Sequence, residues 1–386
     1  MQTTTEHPVV LQVLPSLVTG GVERGTVEIT EAIAGAGWTA LVASAGGPLV
    51  AAVERAGGRH ITLPLTTKNP LTLWRNAALL ETIIRAEGVA IVHARSRAPA
   101  WSAWSASRRS GAHFITTYHG TYRENLPFKR QYNSVMAKGE RVIVASNFVA
   151  ELIVRQHRIS PERIVMIPRG VDPVTFDPEC ISPERTMRLR DAWRLPKGAF
   201  VVLLPGRLTD WKGQSVLIEA LARLDRRDVV GVLVGSRQGR SGYAARLLRQ
   251  AQEAGIADRI LLAGQCDDMP AALMLADVVV HASTRPEAFG RVVIEAQAMA
   301  RPVIAADLGG PAETVRHGVT GWLVPPGDTA ALATAIDKVL AMRPEERTAL
   351  GGRSRAAILR SFTVRAMQDA TLSVYREVLG IVSVAA

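Results

Sequence analysis

The sequence lacks the features that mark several protein classes. Only two of its 386 residues are cysteines, Cys180 and Cys266, and neither has a CxxC partner or a histidine at zinc-ligand spacing. No run of about 18 apolar residues occurs, and the start MQTTTEHPVV has neither the basic nor the apolar region of a signal peptide. We therefore expect reduced cysteines, no disulfide framework, no zinc site and no membrane span, in a cytoplasmic protein.

Signals of nucleic-acid binding are also missing, although the chain is basic. RNP aromatic motifs, zinc-finger spacing and helix-turn-helix signatures are absent. The formal net charge is +11, and residues 1–170 carry a net charge of +8 of that total. A basic first half could meet nucleic acid, an anionic membrane surface or an acidic small substrate, and composition does not choose among them. The missing motifs make a nucleic-acid-binding protein the weakest of these alternatives.

The chain has ample material for a large core. Apolar residues make up 47% of it and the mean hydropathy is +0.11, so a globular protein with two domains of ordinary size is expected. Short apolar, β-branched runs alternate with helix-like segments, which is typical of parallel sheets covered on both faces. The runs of the first series are 9–14, 39–44, 60–65, 90–95, 113–119 and 141–146, and those of the second are 200–206, 229–235, 259–264, 277–283, 301–306 and 321–326.

The two series predict an α/β protein with two doubly wound, Rossmann-like domains. Residues 167–184 are rich in Pro and Asp and read as a linker, so we place the domains at 1–175 and 176–362. Residues 363–386 are expected to form a C-terminal helix that packs back towards the first domain. Ligands of such sheets bind beyond the carboxyl ends of the strands, so the loops after the strands are where functional residues are sought.

One of these loops carries two carboxylates, Glu287 and Glu295, eight positions apart. On one continuous helix they would lie about 12 Å apart, beyond the roughly 5–9.5 Å that glycosidase carboxylate pairs require. Pro286 and Gly290 instead predict a loop that holds Glu287 and leads into a helix that holds Glu295. A helix start approached through glycine suits a phosphate. The alternative is a surface glutamate followed by an unrelated helix glutamate.

Three further loops carry candidate residues. Arg207 and Lys212 lie on PGRLTDWKG, which is neither a Walker loop nor GxGxxG, and two cations there can clamp a diphosphate; a charged loop without function is the alternative. Gly20 and Gly21 allow close approach of the backbone to a ligand, although a plain tight turn fits as well. His119 follows a strand and can face a ligand, although a structural histidine fits as well.

Several segments together resemble one family. GRLTDWKG, EAFGRVVIEA and DLGGPAETVRHGVTGWLVPPGD resemble the retaining GT-B glycosyltransferases of glycosyltransferase family 4, as do TGGVERGTVEI, TYHGT and VIVASNFVAE in the first half. IPRGVDPVTF resembles the interdomain segment of the family, with Arg169 where Asn is usual. The resemblance covers nearly the whole chain. It implies a GT-B fold with an acceptor-binding first domain and a nucleotide-sugar-binding second domain facing each other across a cleft.

The resemblance also implies roles for individual residues. Glu287 would bond hydroxyls of the donor sugar, the backbone around Phe289 and Gly290 would meet the sugar and diphosphate, and Glu295 would hold the ribose. Arg207 and Lys212 would bind the diphosphate, His119 would lie near the donor sugar, and Gly20 and Gly21 near the phosphates. The loop from Gly264 would meet the base. The catalytic set implied by the resemblance is His119, Arg207, Lys212 and Glu287.

The reaction implied by the resemblance is transfer of a sugar, with retention of configuration, from a UDP- or GDP-linked donor to a hydroxyl. Neither a metal nor a cofactor is required, because the two cations would offset charge on the leaving diphosphate. No enzymic nucleophile is evident, so front-face attack is favoured. A nucleotide-sugar epimerase or a glycan phosphorylase on the same fold is the main alternative.

The acceptor side is expected in the basic first half. Aromatic and basic side chains alternate in two stretches, 101–113 and 121–132, with Trp101, Trp104, Arg108, Arg109, Lys129 and Arg130 as the acceptor or membrane set. Rings settle at headgroup depth and cations are attracted by anionic lipid, which favours a lipid-linked or lipopolysaccharide-core acceptor at the inner face of the cytoplasmic membrane. The alternative is a buried aromatic helix with a solvated basic end.

Overall fold

The computed structural model describes residues 7–18, 20–122, 128–237, 239 and 241–381. They form two compact units, each with its own sheet. Unit 1 comprises Met1–Arg169 together with Val364–Ala386, and unit 2 comprises Gly170–Thr363. The first division falls within the Pro-rich segment, six residues before the boundary expected at 175.

Unit 1 is built on a seven-stranded parallel sheet. Its strands are β1 Val9–Val13, β2 Thr39–Ser44, β3 Arg59–Thr62, β4 Val89–Ala94, β5 His113–Tyr118, β6 Arg141–Val144 and β7 Ile164–Met166, in the order β3-β2-β1-β4-β5-β6-β7. Its helices are α1 Gly21–Gly35, α2 Val50–Arg55, α3 Pro70–Ala86, α4 Arg97–Ser110, α5 Lys129–Asn133 and α6 Asn147–His157, with α14 Val364–Val378 from the C-terminal end of the chain. Short 3₁₀ helices span Ser134–Ala137 and Pro161–Arg163.

The C-terminal helix α14 packs into the core of unit 1. Its side chains Met367, Leu372 and Tyr375 are buried with Val10 of β1 and Ile33 of α1 in one apolar cluster. This burial explains why residues 364–378 fold with the first half of the chain, since apolar surface removed from water on both sides stabilises the contact.

Unit 2 is built on a six-stranded parallel sheet. Its strands are β8 Phe200–Pro205, β9 Val229–Val234, β10 Ile260–Gly264, β11 Val278–His281, β12 Val303–Ala306 and β13 Trp322–Val324, in the order β10-β9-β8-β11-β12-β13. Its helices are α7 Pro183–Ala192, α8 Gln214–Ala222, α9 Ser241–Glu253, α10 Met269–Leu275, α11 Arg291–Ala298, α12 Thr329–Leu340 and α13 Pro344–Ser361. Short 3₁₀ helices span Pro178–Cys180, Ala257–Arg259 and Gly310–Thr314.

Both sheets have the doubly wound arrangement predicted from the sequence, and the fold class is confirmed. In each sheet, the first strand of the unit lies near the centre. The next two strands are added on one side of it and the later strands on the other side, with helical crossovers between successive strands. The twelve apolar runs correspond to twelve of these strands, and β7 was missed. Within the described residues, no helix has both the length and the apolar composition needed to cross a bilayer.

Candidate functional site

Three loops at the carboxyl ends of β8, β11 and β12 are joined by backbone contacts in unit 2. Thr284 N donates to Trp211 O at 2.8 Å, which joins the loops after β11 and β8. Gly310 N donates to Glu287 O at 3.0 Å, which joins the loops after β12 and β11. Gly213 has φ 80°, and a Cβ there would collide with the Ala282 carbonyl. The loops therefore form one surface that fixes the backbone at Glu287.

The Glu287 carboxylate is the centre of a largely buried polar cluster on this surface. Lys212 Nζ donates to both of its oxygens at 2.7 Å, and the two side chains are each 14% exposed. His281 Nε2 lies 2.8 Å from Oε1, and Ser283 Oγ donates to the same oxygen. Burial would raise the pKa of Glu287, but His281 and Lys212 outweigh it and hold that pKa well below its usual value. The carboxylate is therefore ionised and able to accept hydrogen bonds.

His281 and Ser283 were missed by the sequence analysis. His281 is the last residue of β11 and Ser283 follows two positions later, in DVVVHAS, and both side chains reach the same oxygen of Glu287. Both are buried, at 5% and 2% exposure. A polar pair at alternate positions in an otherwise apolar run, just before a candidate loop, was the signal that could have found them.

The two cations of PGRLTDWKG lie in different surroundings. Lys212 is bound to Glu287 and also lies 4.9 Å from the centroid of the Trp211 ring. Arg207 has an exposed side chain, and its backbone carbonyl accepts a bond from Gln214 Nε2 at 3.0 Å. Thus the structure brings Lys212, but not the Arg207 guanidinium, into the polar cluster around Glu287.

Glu295 lies in helix α11 and Glu287 in the loop before it, as the sequence pattern predicts. Gly290 caps the helix with φ 80°, a left-handed conformation that glycine tolerates, and a Cβ there would lie 2.7 Å from Pro311. Glu295 is 8% exposed and its Oε1 lies 3.9 Å from Arg291 Nε. Phe289 is buried, so only its backbone is available to a ligand.

The remaining glycines that were predicted to bind the donor lie at ends of strands or helices. Gly264 ends β10 with φ 74°, and its carbonyl accepts a bond from Gly235 N at 2.7 Å. Gly20 is the N-cap of α1, and Gly21 is the first residue of that helix. Gly20 therefore precedes free N–H groups at the positive end of the helix dipole, which suits an anion.

His119 follows β5 in unit 1 and contacts Arg169. The guanidinium NH2 of Arg169 donates to His119 Nδ1, while His119 Nε2 is buried and has no hydrogen-bond partner among the described residues. Burial, and then the charges of Arg169 and Arg95, hold the pKa of His119 well below its usual value. The imidazole is therefore neutral.

The residues expected to contact the acceptor or the membrane do not form a fully exposed patch, because several of them are partly buried. Trp101 Nε1 donates to Tyr132 O at 3.1 Å, and its ring meets that of Trp104 edge-on at 5.9 Å. Arg108 lies 5.3 Å from the Trp104 ring centroid. Both tryptophans are half-buried.

The other cations of this set differ in exposure. Arg109 Nε pairs with Glu81 at 2.7 Å, Lys129 is half-buried and Arg130 is exposed. Arg123, from the same stretch, lies outside the described residues. Across the described part of the chain, no group of three or more His, Cys, Asp or Glu residues is placed to hold a metal ion.

Comparison with known proteins defines the class. Residues 19–174 match Glycosyltransferase Family 4, and residues 186–357 match Glycosyl transferases group 1. The chain belongs to this glycosyltransferase family, whose fold is GT-B and whose members use nucleotide-sugar donors without a cofactor.

Among known structures, a glycosyltransferase from Rickettsia africae is similar over 97% of this chain and 99% of its own, with 36% identity and a TM-score of 0.90. HepE of Anabaena, solved with UDP and glucose, shows 26% identity and a TM-score of 0.83 over 96% of this chain and 99% of its own. A D-inositol 3-phosphate glycosyltransferase of Saccharomonospora viridis is 35% identical over 64% of this chain, which spans 57% of that relative's length.

Proposed function

We propose that this protein is a retaining glycosyltransferase that moves a sugar from a nucleoside-diphosphate sugar to a hydroxyl of a glycan or lipid-linked acceptor, in the synthesis of cell-envelope polysaccharide or lipopolysaccharide. The observation that carries the proposal is the buried Glu287–Lys212 pair, supported by His281 and Ser283, at the carboxyl edge of the unit 2 sheet. An ionised carboxylate beside an ammonium group suits a ligand with sugar hydroxyls next to a diphosphate.

The residues act on different parts of the donor. Glu287 accepts hydrogen bonds from sugar hydroxyls, while Lys212 and Arg207 meet the diphosphate and offset the charge that grows as it leaves. Glu295 holds the ribose, and the backbone at Gly264 meets the base. The departing phosphate oxygen takes the proton of the attacking hydroxyl on the same face, which retains the configuration.

Acceptor-dependent release of nucleoside diphosphate tests the proposal. Purified protein is incubated with UDP- and GDP-sugars and an acceptor panel containing lipid-linked glycans, lipopolysaccharide core and a phosphorylated inositol, with and without EDTA. We expect release only when donor and acceptor are both present, a product with the donor's anomeric configuration, and the same rate in EDTA, since two cations do the work of a metal.

Three outcomes would contradict parts of this proposal. Donor turnover without any acceptor favours an epimerase or a hydrolase. Inversion of configuration excludes the retaining mechanism. Activity lost in EDTA and restored by Mg²⁺ or Mn²⁺ excludes metal independence. A preference for the phosphorylated inositol would shift the acceptor class towards that named for the curated relative.

The same proposal places unit 1 at the inner face of the cytoplasmic membrane. Residues 1–170 carry the net charge of +8, and helix α3 exposes three large apolar side chains, Leu71, Trp74 and Leu79, at 57%, 65% and 46%. Leu71 and Trp74, three positions apart, share one helical face, and Leu79 lies eight positions from Leu71 on the adjoining side of the helix. Exposed apolar side chains on a basic unit support an interfacial location.

Charge reversal tests the membrane location. Reversing Arg108, Arg109, Lys129 and Arg130 should nearly eliminate sedimentation with anionic liposomes, because each cation near the surface contributes about 1 kcal/mol. Binding of the unchanged protein should also weaken steeply with salt. Reversal of four exposed arginines of unit 2, Arg223, Arg227, Arg246 and Arg249, is the matched control. If the unchanged protein sediments equally with anionic and neutral vesicles, or with neither type, a soluble acceptor is favoured instead.

A further inference from the structure

We infer that Arg169 is a positioning residue that fixes His119 as a neutral imidazole with its proton on Nε2, so that this histidine donates a hydrogen bond to a ligand oxygen and does not accept a proton. The inference rests on the proposed function in taking the ligand as donor or acceptor substrate. It concerns the one residue at which the interdomain segment departs from the family pattern, where Asn is usual.

The hydrogen bond between the two side chains determines the tautomer. Arg169 NH2 donates to His119 Nδ1. A guanidinium has only donors, so the nitrogen that faces it must offer a lone pair. A neutral imidazole with a lone pair on Nδ1 carries its proton on Nε2. Protonation of Nδ1 would place two N–H groups against each other and break the contact.

The other ring nitrogen needs a partner that the described residues do not provide. His119 Nε2 is buried without a hydrogen-bond partner among them. A buried N–H without an acceptor costs free energy, and such groups are rare unless a ligand or water meets them. An oxygen of the sugar or of its phosphate has the required lone pair. His119 therefore lies at the carboxyl end of β5 with a single donor available to a bound substrate.

The charges around His119 come from several elements and mostly oppose its protonation. Arg169 follows β7 and Arg95 follows β4, and their charges add to the effect of burial in lowering the pKa of His119. On α1, Glu23 and Glu28 act on Arg95, as does Tyr375 of α14. His93 is itself neutral, since burial and then Arg95 and Arg169 lower its pKa well below the usual value.

Gly25 of helix α1 leaves room for the arginines. A Cβ at this position would lie 2.7 Å from Arg169 NH1 and 3.1 Å from Arg95 NH2. The two guanidinium groups thus converge beside α1, and a larger residue would displace them. Helix α1 and the segments after β4 and β7 therefore together determine where the Arg169 side chain contacts His119.

Nitrogen-15 NMR of histidine-labelled full-length protein tests the inference without any turnover. His119 is assigned by loss of its signals in His119→Gln. We expect an unprotonated Nδ1 and a protonated Nε2 from pH 8 down to pH 5.5, without titration. In Arg169→Met, which removes the donor and the charge, His119 should begin to titrate in this range. Arg169→Lys, which keeps a donor and a cation, should preserve the wild-type pattern. Arg155→Met, which removes an exposed cation of unit 1, is the control.

Transfer kinetics complete the test. We expect kcat of Arg169→Met to fall about tenfold and to decline further as the pH is lowered, with Arg169→Lys closer to wild type. A wild-type His119 that carries its proton on Nδ1 or titrates in this range, or an Arg169→Met protein with unchanged His119 signals, overturns the inference. Full activity of His119→Ala, which has no side-chain donor at this position, overturns the hydrogen bond from His119 to a ligand and removes His119 from the proposed catalytic set, even if the tautomer is the expected one.

Discussion

A Lys212→Ala variant should lose sugar transfer almost completely. Its ammonium group donates to both oxygens of Glu287 at 2.7 Å, so one substitution removes a cation from the diphosphate and changes the partners of the carboxylate. Loss of one preorganised group that stabilises developing charge lowers kcat by about 10²–10³-fold. We expect at least that loss here, measured as initial rates of nucleoside-diphosphate release at saturating donor.

Arg207→Ala should also abolish detectable transfer but should affect stability differently. Its side chain is exposed, whereas Lys212 is 14% exposed and paired. Breaking a buried pair costs about 3–5 kcal/mol, and we expect the lower end for Lys212→Ala because His281 and Ser283 still donate to Glu287. Thermal unfolding should therefore show a lower midpoint for Lys212→Ala and little change for Arg207→Ala. Lys197→Ala, an exposed change in unit 2, is the control. Wild-type turnover in either variant would remove the substituted cation from the mechanism and would contradict the assignment of the two cations as a diphosphate-binding pair.

The fold was predictable because most strands are continuous apolar runs. In β9, for example, all six residues are buried. A short, continuous apolar run between helical segments is typical of a buried strand in a parallel sheet. Strand β7 was missed because it has only three residues, Ile164–Met166, all at least partly exposed. A short edge strand forms by pairing with its neighbour, here β6, and this contact leaves little trace in local sequence.

The candidate site was predictable only where local sequence determines it. Pro286 and Gly290 placed Glu287 in a loop and Glu295 in a helix, which needs no tertiary information. Glu287 contacts Lys212, 75 residues away, and Arg169 contacts His119, 50 residues away. Both contacts depend on the order of the strands in the sheets. The hydrophobic periodicity of the sequence does not reveal the order of the strands in the sheet.

The surface of unit 1 was the hardest part to predict. Trp101 and Trp104 alternate with basic residues in sequence, but their rings pack against each other and are half-buried. Trp74 was not among the predicted surface residues, yet it is 65% exposed. Exposure of one aromatic side chain depends on which neighbouring helix covers it, and helix α4 covers the opposite face of α3, where Ser102 Oγ donates to Leu73 O at 2.8 Å.

Substitutions at Glu287 and Glu295 should have different kinetic effects. We place the Glu287 carboxylate against hydroxyls of the reacting sugar, so Glu287→Ala should lower kcat by roughly 10²–10³-fold. The substitution also leaves Lys212 and His281 without their shared partner. Glu287→Gln keeps the size and tests the charge alone. It should restore neither turnover nor full stability, because a neutral amide cannot pair with the Lys212 ammonium as an ionised carboxylate does.

Glu295 should instead affect binding of the donor. It is buried in α11, where Arg291 Nε lies 3.9 Å from its Oε1, and we assign it to the ribose, far from the bond that breaks. An interaction that is equal in the ground state and the transition state changes KM and leaves kcat unchanged. Glu295→Gln should therefore raise the KM for donor and weaken binding of free nucleoside diphosphate by a similar factor, with kcat near wild type.

Initial rates over a range of donor concentrations, with calorimetric titration of nucleoside diphosphate, separate the two roles. Glu253→Gln, an exposed change on α9, controls for loss of one carboxylate in unit 2. If Glu295→Gln lowers kcat and Glu287→Ala raises only KM, the assignments are reversed, and the sugar lies on the helix side of Gly290. If both variants keep wild-type kinetics, the buried Glu287–Lys212 pair is a structural contact between the loops after β8 and β11, and the donor binds elsewhere.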